Sequence, residues 1–280
     1  MARPIEWPCL FLFHSATLLT RAEDCGVIFL HKVAVVYDDA FLTRYDTVDC
    51  ESPDRISSVL SHLEDIADFV RPAPCSEADL LLCHSRALVD SVREDGTLFE
   101  VAALAAGGAI RAAETCREGP CFALVRPPGH HAGGNFNGGF CFFNNIVVAV
   151  KKMLVTGAIR SALIVDIDLH YGNGTAHIFK DDRRVTFRNI SAPTRPGFFE
   201  VLEHAVADGG KYDMVGCSAG FDTSIGDWGN LLLTEDFGKI GAALASSNPC
   251  FFSVLEGGYY IEDLGKNVRA YLEGIGSACS

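Results

Sequence analysis

Seven short apolar runs, rich in Val, Ile and Phe, recur along this 280-residue chain. Most of them are continuously hydrophobic, which is typical of strands that are buried on both faces of a parallel sheet. The runs are VAVVYDD (33–39), DLLLCHS (79–85), CFALVRP (121–127), SALIVDIDLH (161–170), VTFRNIS (185–191), YDMVGCSAGFD (212–222) and CFFSVLEGGY (250–259). Helical patterns lie between the runs, so the sequence predicts a doubly wound α/β sandwich with a mainly parallel sheet.

Five segments carry these helical patterns. The first, 52–70, has Ser52 as its N-cap and a proline at its first helical position. The others are 97–116, 144–157, 233–247 and 261–275.

Domain organisation follows from where the first strong strand begins. We expect residues 32–280 to form a single catalytic domain and residues 1–31 to be a loosely attached N-terminal extension. The apolar stretch 7–19 in that extension is too short to span a bilayer, so no membrane association is predicted.

Composition narrows the class of function. The net charge of −13 argues against direct nucleic-acid binding, which needs clustered Lys and Arg, and it suits a cationic substrate or simple solubility. The eleven cysteines form no CxxC pair, so neither a thiolate zinc site nor a disulfide framework is indicated. Many lie in apolar runs, which predicts buried free thiols in a reducing cytoplasm.

Polar side chains follow four of the predicted strands, and ligands of open α/β sheets bind outside the carboxyl ends of strands. Each residue alone has an ordinary structural explanation, such as helix capping, packing or surface exposure. Their joint occurrence favours a functional site. The residues are His130, His131, Asp166, Asp168, His170, Asn173, Asp222 and Tyr259.

The segment DIDLH supplies candidate metal ligands. Asp166, Asp168 and His170 alternate with apolar residues, so a continuing strand would place all three on one face, about 6.6 Å apart at each step. The pair nearest the open end, Asp168 and His170, is the better ligand pair, with Asp166 one step deeper. Asp222 is the natural third ligand, because the small residues 218–220 allow a close approach of the chain.

The charge of this ligand set determines what else catalysis would need. Two aspartates and a neutral histidine give a site with a divalent ion almost no net charge. Such an ion lowers the pKa of a bound water only weakly, so catalysis needs a separate base and an oxyanion donor. The adjacent His130 and His131 can share these two roles. If Asp166 holds one imidazole protonated or polarised, a neutral partner such as Asn173 can leave the other imidazole unprotonated and able to act as a base. Tyr259, in EGGYY, supplies a phenol.

The motifs RPPGHHA, GGFCFFNN, DIDLHYGNGT, SAGFD and EGGYY resemble the histone deacetylase family, including its microbial deacetylase and acetylpolyamine amidohydrolase relatives. The resemblance extends from about Val33 to the C-terminus. It implies an arginase-like three-layer α/β/α fold and zinc-dependent hydrolysis of an acetyl or short acyl group on a lysine-type or polyamine amine. It also implies a structural K⁺ ion and, from the acetylpolyamine-type relatives, a homo-oligomer.

The resemblance also implies a role for each matched residue. The catalytic Zn²⁺ is held by Asp168, His170 and Asp222. His131 is the general base of the tandem pair with His130, Asp166 and Asn173 are their partners, and Tyr259 polarises the carbonyl. The substrate channel is lined by Gly139, Phe140 and Phe199.

The chain departs from the family pattern at several places, which leaves alternatives open. Asn189, Ile190 and Ser191 replace a Ser-Leu-His-like triplet that contributes to the K⁺ site, and the segment after Phe199 is short. ESPDR lacks a preceding His-Pro, and the region between His84 and Thr97 is brief. The alternatives are a metal-binding homologue that recognises acylated partners with weakened catalysis, and an arginase-type ureohydrolase with two manganese ions.

Overall fold

A computed structural model of the chain describes residues 32–278. Seven parallel strands form one sheet in the order β2-β1-β3-β7-β6-β4-β5. The strands are β1 (Val33–Val36), β2 (Ala67–Val70), β3 (Cys121–Ala123), β4 (Ala162–Asp166), β5 (Val185–Asn189), β6 (Met214–Ala219) and β7 (Phe251–Leu255). The central strands β3, β4, β6 and β7 are buried along their whole length, as their uninterrupted hydrophobic sequences predict.

Helices connect the strands and cover the sheet. They are α1 (Asp54–Leu60), α2 (Glu77–Leu80), α3 (Arg86–Arg93), α4 (Gly96–Thr115), α5 (Asn145–Val155), α6 (Asn173–Phe179), α7 (Arg195–Val206), α8 (Thr234–Ser247) and α9 (Ile261–Ala278). Four of the five predicted helices are confirmed as α4, α5, α8 and α9. Among the described residues, α4 is long and apolar enough to cross a membrane, but 67% of its most apolar window is buried inside the fold.

Two sequence predictions about the early part of the chain are wrong. The segment 79–85 is not a strand, because Ser76 and Asp79 form a capping box that starts α2 there. The predicted helix 52–70 ends at Leu60, and its last residues form β2 beside β1. A short apolar run has the same periodicity in either structure, so only strand pairing decides between them.

The run 161–170 is also shorter as a strand than predicted. β4 ends at Asp166, and the chain bends over residues 168–170. Asp166, Asp168 and His170 therefore do not share one strand face. The bend matters for the site, because it brings side chains closer together than an extended strand would allow.

Candidate active site

Four neighbouring strands carry the predicted site residues. The sheet order places β3, β7, β6 and β4 side by side, and all four are parallel, so their carboxyl ends lie at one edge. The tandem histidines follow β3, Tyr259 follows β7, Asp222 follows β6, and the DIDLH segment leaves β4. Convergence of these loops is the direct result of parallel pairing.

The three predicted metal ligands come together at this edge. Asp168, His170 and Asp222 each offer one ligand atom within 4.8 Å of the others. His170 Nδ1 lies 3.2 Å from Asp168 Oδ1 and 2.9 Å from Asp222 Oδ2. An added Cβ at Gly220 would lie 2.2 Å from Asp168 Oδ2, so the close approach needs glycine there.

The remaining contacts of the two carboxylates leave one oxygen available. The backbone N–H of Gly257 donates to Asp168 Oδ2 at 2.8 Å, and that of Leu169 donates to Asp222 Oδ1 at 3.0 Å. Asp222 Oδ2 is buried, and in the described part of the chain the His170 imidazole meets it, with Nδ1 2.9 Å away. A buried carboxylate oxygen is costly unless positive charge meets it, either a proton on that imidazole or a metal cation.

The electrostatics of the cluster also call for a cation. Hydrogen bonds to Asp168 and Asp222 raise the pKa of His170 to about 10, and burial raises the pKa of Asp222 to about 6. The paired carboxylates thus attract positive charge, which a proton on His170 or a divalent ion supplies. Two carboxylates and an imidazole are a donor set that zinc accepts, with a coordination position left for substrate.

The tandem histidines face the predicted partners. His130 Nδ1 donates to Asp166 Oδ2 at 3.0 Å, and His131 Nδ1 donates to Asn173 Oδ1 at 2.6 Å. Burial lowers the pKa of His130, but the charges of Asp166 and Asp168 outweigh it and hold that pKa well above its usual value. Burial and the neighbouring charge of His130 lower the pKa of His131. One imidazole is therefore suited to carry a proton and the other to accept one.

A cavity of about 110 Å³ opens above these groups. Its lining consists of Pro128, His130, His131, Gly139, Phe140, His170, Trp228 and Tyr259. Gly139 and Phe140 are at the wall as expected, and both adopt positive φ, 56° and 66°. The cavity is well below the roughly 300–1,000 Å³ typical of pockets for drug-sized ligands, so it suits a small group.

Residues 49–199 match the family described as the histone deacetylase domain, which is more than half of the chain. The chain belongs to the histone deacetylase family. The match ends at Phe199, so Asp222 and Tyr259 lie beyond it.

Relatives of this histone deacetylase family member agree with the assignment. A probable deacetylase of Methanothermobacter thermautotrophicus is 33% identical over 74% of this chain and 78% of its own length. An acetylpolyamine amidohydrolase of Mycoplana ramosa is 30% identical over 63% of each protein. The crystal structure of the HDA15 HD domain superposes with a TM-score of 0.80 at 24% identity, covering 89% of this chain and 90% of that one. The arginase-like α/β/α fold is thereby confirmed.

Phe199 does not reach the active-site cavity of this deacetylase-family chain. It lies in α7, where its ring packs beside Phe198 and is 5.8 Å from Lys239 Nζ. The connection from β5 to α7 spans only residues 190–194. Thr194 caps α7 at once, so the phenylalanine pair becomes helical instead of forming a loop toward the site.

Glu256 is a site residue that the sequence predictions missed. It follows β7 directly, is fully buried, and its Oε2 accepts the N–H groups of Gly129 at 2.6 Å and His130 at 3.0 Å. Burial raises its pKa to about 7. The carboxylate thereby anchors the turn that presents both histidines. A carboxylate ending an apolar run, the pattern that identified Asp166, could have identified it.

Glu256 also belongs to a second cluster, with His130 and Cys141, whose polar atoms lie within 4.8 Å of one another. Burial raises the pKa of the Cys141 thiol well above its usual value, so the sulfur stays protonated. His130 already donates to Asp166, and one carboxylate oxygen of Glu256 is taken by backbone N–H groups. These bonds, together with the protonated thiol, make the cluster of Asp168, His170 and Asp222 the better candidate for a metal site.

Two buried arginines support the loops of the site. Arg55 donates to the carbonyl oxygens of Glu256 at 2.5 Å and Gly258 at 2.7 Å, and its guanidinium lies 4.8 Å from the centroid of the Tyr259 ring. Arg126, just before the tandem histidines, is paired with Glu51 through two 2.9 Å hydrogen bonds. The ESPDR motif, although it lacks His-Pro before it, thus supplies the arginine that holds the tyrosine segment.

Proposed function

We propose that this protein is a zinc-dependent amidohydrolase that removes an acetyl or other short acyl group from a lysine-type or polyamine amine. The observation that carries the proposal is the cluster of Asp168, His170 and Asp222, with both carboxylates buried, beside a cavity that His170 lines together with two histidines and a tyrosine. Membership of the deacetylase family supports hydrolysis of an amide bond.

The residues around the triad divide the chemistry. A zinc ion, when bound, would polarise the amide carbonyl and lower the pKa of a water molecule. His131 accepts a proton through Nε2, because its Nδ1 donates to Asn173. His130, kept cationic by Asp166, stabilises negative charge and supplies a proton to the departing amine. Tyr259 lines the same cavity, and its phenol O–H donates a hydrogen bond to the developing oxyanion without losing its proton.

The substrate class follows from the size of the cavity and the charge of the chain. A volume of about 110 Å³ supports a short acyl group next to the metal triad. The net charge of −13 favours a cationic amine. The names of two relatives, an acetylpolyamine amidohydrolase of Mycoplana ramosa and another of Pseudomonas aeruginosa, support acetylated polyamines beside acetyl-lysine.

The proposal is tested with the substitution Tyr259→Phe in the zinc-loaded protein. Loss of one oxyanion donor is expected to lower kcat on an acetyl-lysine reporter about 10²–10³-fold. Zinc affinity, measured by competition with a chromogenic chelator, should remain unchanged, because the phenol is not a metal ligand. Free-amine release is the readout of turnover.

The adjacent tyrosine provides a matched control. Tyr260 is 38% exposed and does not line the cavity, so Tyr260→Phe should leave kcat unchanged. Equal turnover of Tyr259→Phe and the unsubstituted protein would refute the role of Tyr259. Tight binding of an acetyl-lysine peptide without amine release would show a recognition protein with weakened catalysis.

Three further features implied by the family resemblance or by composition stay predictions. They are a structural K⁺ ion, a homo-oligomer, and a cytoplasmic location.

In the described part of the chain the eight cysteines are free thiols, as the absence of CxxC pairs predicts. The prediction for residues 1–31 lies outside the described residues.

A further inference from the structure

We propose that Trp228 is the second aromatic wall of the substrate channel, beside Phe140, and that it binds the alkyl chain of the amine. This assignment rests on the proposed amidohydrolase function. Trp228 then has the channel-lining role that the family resemblance assigns to Phe199. Trp228 is also a determinant of specificity for the amine.

The contacts of Trp228 place it at the entrance of the cavity. Its ring stacks on Tyr259 with centroids 4.5 Å apart and an interplanar angle of 23°, and it meets the His170 ring edge-on at 5.7 Å. It lines the cavity, yet 53% of its surface is exposed. A side chain that touches both a candidate ligand and the catalytic phenol while facing solvent must lie where substrate enters.

Trp228 and Phe140 both contact the Tyr259 ring. One face of that ring is covered by the indole at 4.5 Å and the ring also has the Arg55 guanidinium over it at 4.8 Å. With its faces occupied, Tyr259 meets Phe140 at its edge, in a T-shaped contact at 5.8 Å and 82°. Phe140 and Trp228 therefore contact different parts of the phenol ring, and both line the cavity through which an alkyl chain would leave the carbonyl.

The loop that carries Trp228 is held in place, so the indole is preorganised. Asp227 Oδ2 accepts the N–H groups of Tyr259 at 2.6 Å and Tyr260 at 2.9 Å, which ties the loop to the tyrosine segment. The N–H of Gly229 donates to the carbonyl of Asp222 at 2.8 Å. The ring is thus fixed from both sides of its backbone, which lowers the entropy cost of substrate binding.

The short connection from β5 to α7 explains why a tryptophan is placed here. With only residues 190–194 in that connection and Phe199 packed in α7, the described chain brings no phenylalanine from this segment to the cavity. The large, exposed indole fills that side of the entrance. An indole face favours an unbranched alkyl chain, which makes full contact, over a branched or bulky one.

The test uses a series of N-acetyl-n-alkylamines, from N-propylacetamide to N-hexylacetamide, with the zinc-loaded protein. For each methylene that Trp228 covers, kcat/KM should rise by up to about fourfold. Trp228→Ala should flatten this dependence on chain length, and Trp228→Phe should retain part of it. Phe199→Ala is the rival substitution and should leave the dependence as steep as before.

The dependence on chain length separates a wall from a residue that only positions Tyr259. If Trp228→Ala lowers kcat/KM by the same factor for every amine, Trp228 only supports the phenol, and the proposal is overturned. If Phe199→Ala flattened the dependence of kcat/KM on chain length instead, Phe199 and not Trp228 would be the channel wall.

Failure of the proposed function gives a different result. If neither this series nor the acetyl-lysine reporter is hydrolysed, the proposed amidohydrolase function is refuted, and the dependence on chain length is then measured as dissociation constants from tryptophan fluorescence. The sequence has two tryptophans, so Trp7→Phe leaves Trp228 as the only reporter. Dissociation constants that do not change with chain length would then overturn the assignment of Trp228.

Discussion

Replacing Glu51 with Gln tests whether buried charge holds the active-site loops together. Glu51 Oε1 accepts from Arg126 Nε at 2.9 Å and from Arg55 Nη1 at 3.4 Å, and Oε2 accepts from Arg126 Nη2 at 2.9 Å. All three side chains are fully buried. One carboxylate therefore offsets two guanidinium groups that have no access to water.

The magnitude follows from this burial. Removing one member of a buried ion pair leaves an uncompensated charge and costs about 3–5 kcal/mol. For a domain of this size each kcal/mol lowers Tm by about 2–4 °C, so Glu51→Gln should lower Tm by about 6–20 °C. The assays are thermal unfolding for Tm and urea unfolding for the free energy, both on the metal-free protein, since bound metal would add its own stabilisation. The urea dependence of the unfolding free energy should keep its slope, because the exposed surface hardly changes.

Glu77→Gln is the matched control. Glu77 also pairs with two arginines, Arg86 and Arg93, but its side chain is 37% exposed. An exposed ion pair is worth about 0–1 kcal/mol, so the same chemical change should cost little there. If the two variants lost equal stability, the argument from burial would be refuted.

Two further predictions concern metal binding and pH. Atomic absorption should find one zinc ion per unsubstituted chain and none in Asp222→Asn, whereas two ions per unsubstituted chain would favour an arginase-type ureohydrolase. Burial lowers the pKa of His84 to about 4. The unfolded chain then binds a proton between pH 6.5 and 4 that the folded chain does not, so acidification through this window should remove about 3 kcal/mol of stability. In urea titrations at several pH values, His84→Gln should remove this loss of unfolding free energy on acidification. If the unfolding free energy of the variant fell with pH as steeply as that of the unsubstituted protein, the prediction would be contradicted.

Some features of the fold were predictable because their cause is local. The runs at 161–170, 212–222 and 250–259 are continuously apolar, and each contains a fully buried strand. The strand prediction for 79–85 was wrong, because the apolar residues of this run belong to a capped helical turn. β2 was missed because it is at the edge of the described sheet, beside β1, and edge pairing leaves little periodicity in a sequence.

The candidate site shows the same division. Asp166, Asp168, His170 and Asp222 were identifiable, since charge at the end of a buried strand needs a partner. Glu256 carried the same signature and was missed. Trp228 carried none, because its place beside Tyr259 depends on the packing of two loops from different strands.

The sequence by itself determined which chemical groups lie at the ends of the strands. A buried apolar run and the polar residues that follow it are both properties of a short segment. Only the tertiary structure decided which groups meet. The neighbouring positions of β3, β7, β6 and β4 bring the candidate ligands together, and the bend after Asp166 shortens their separations. The β5–α7 connection is short, so Phe199 lies in a helix, and Trp228 lines the cavity because two loops from different strands pack together.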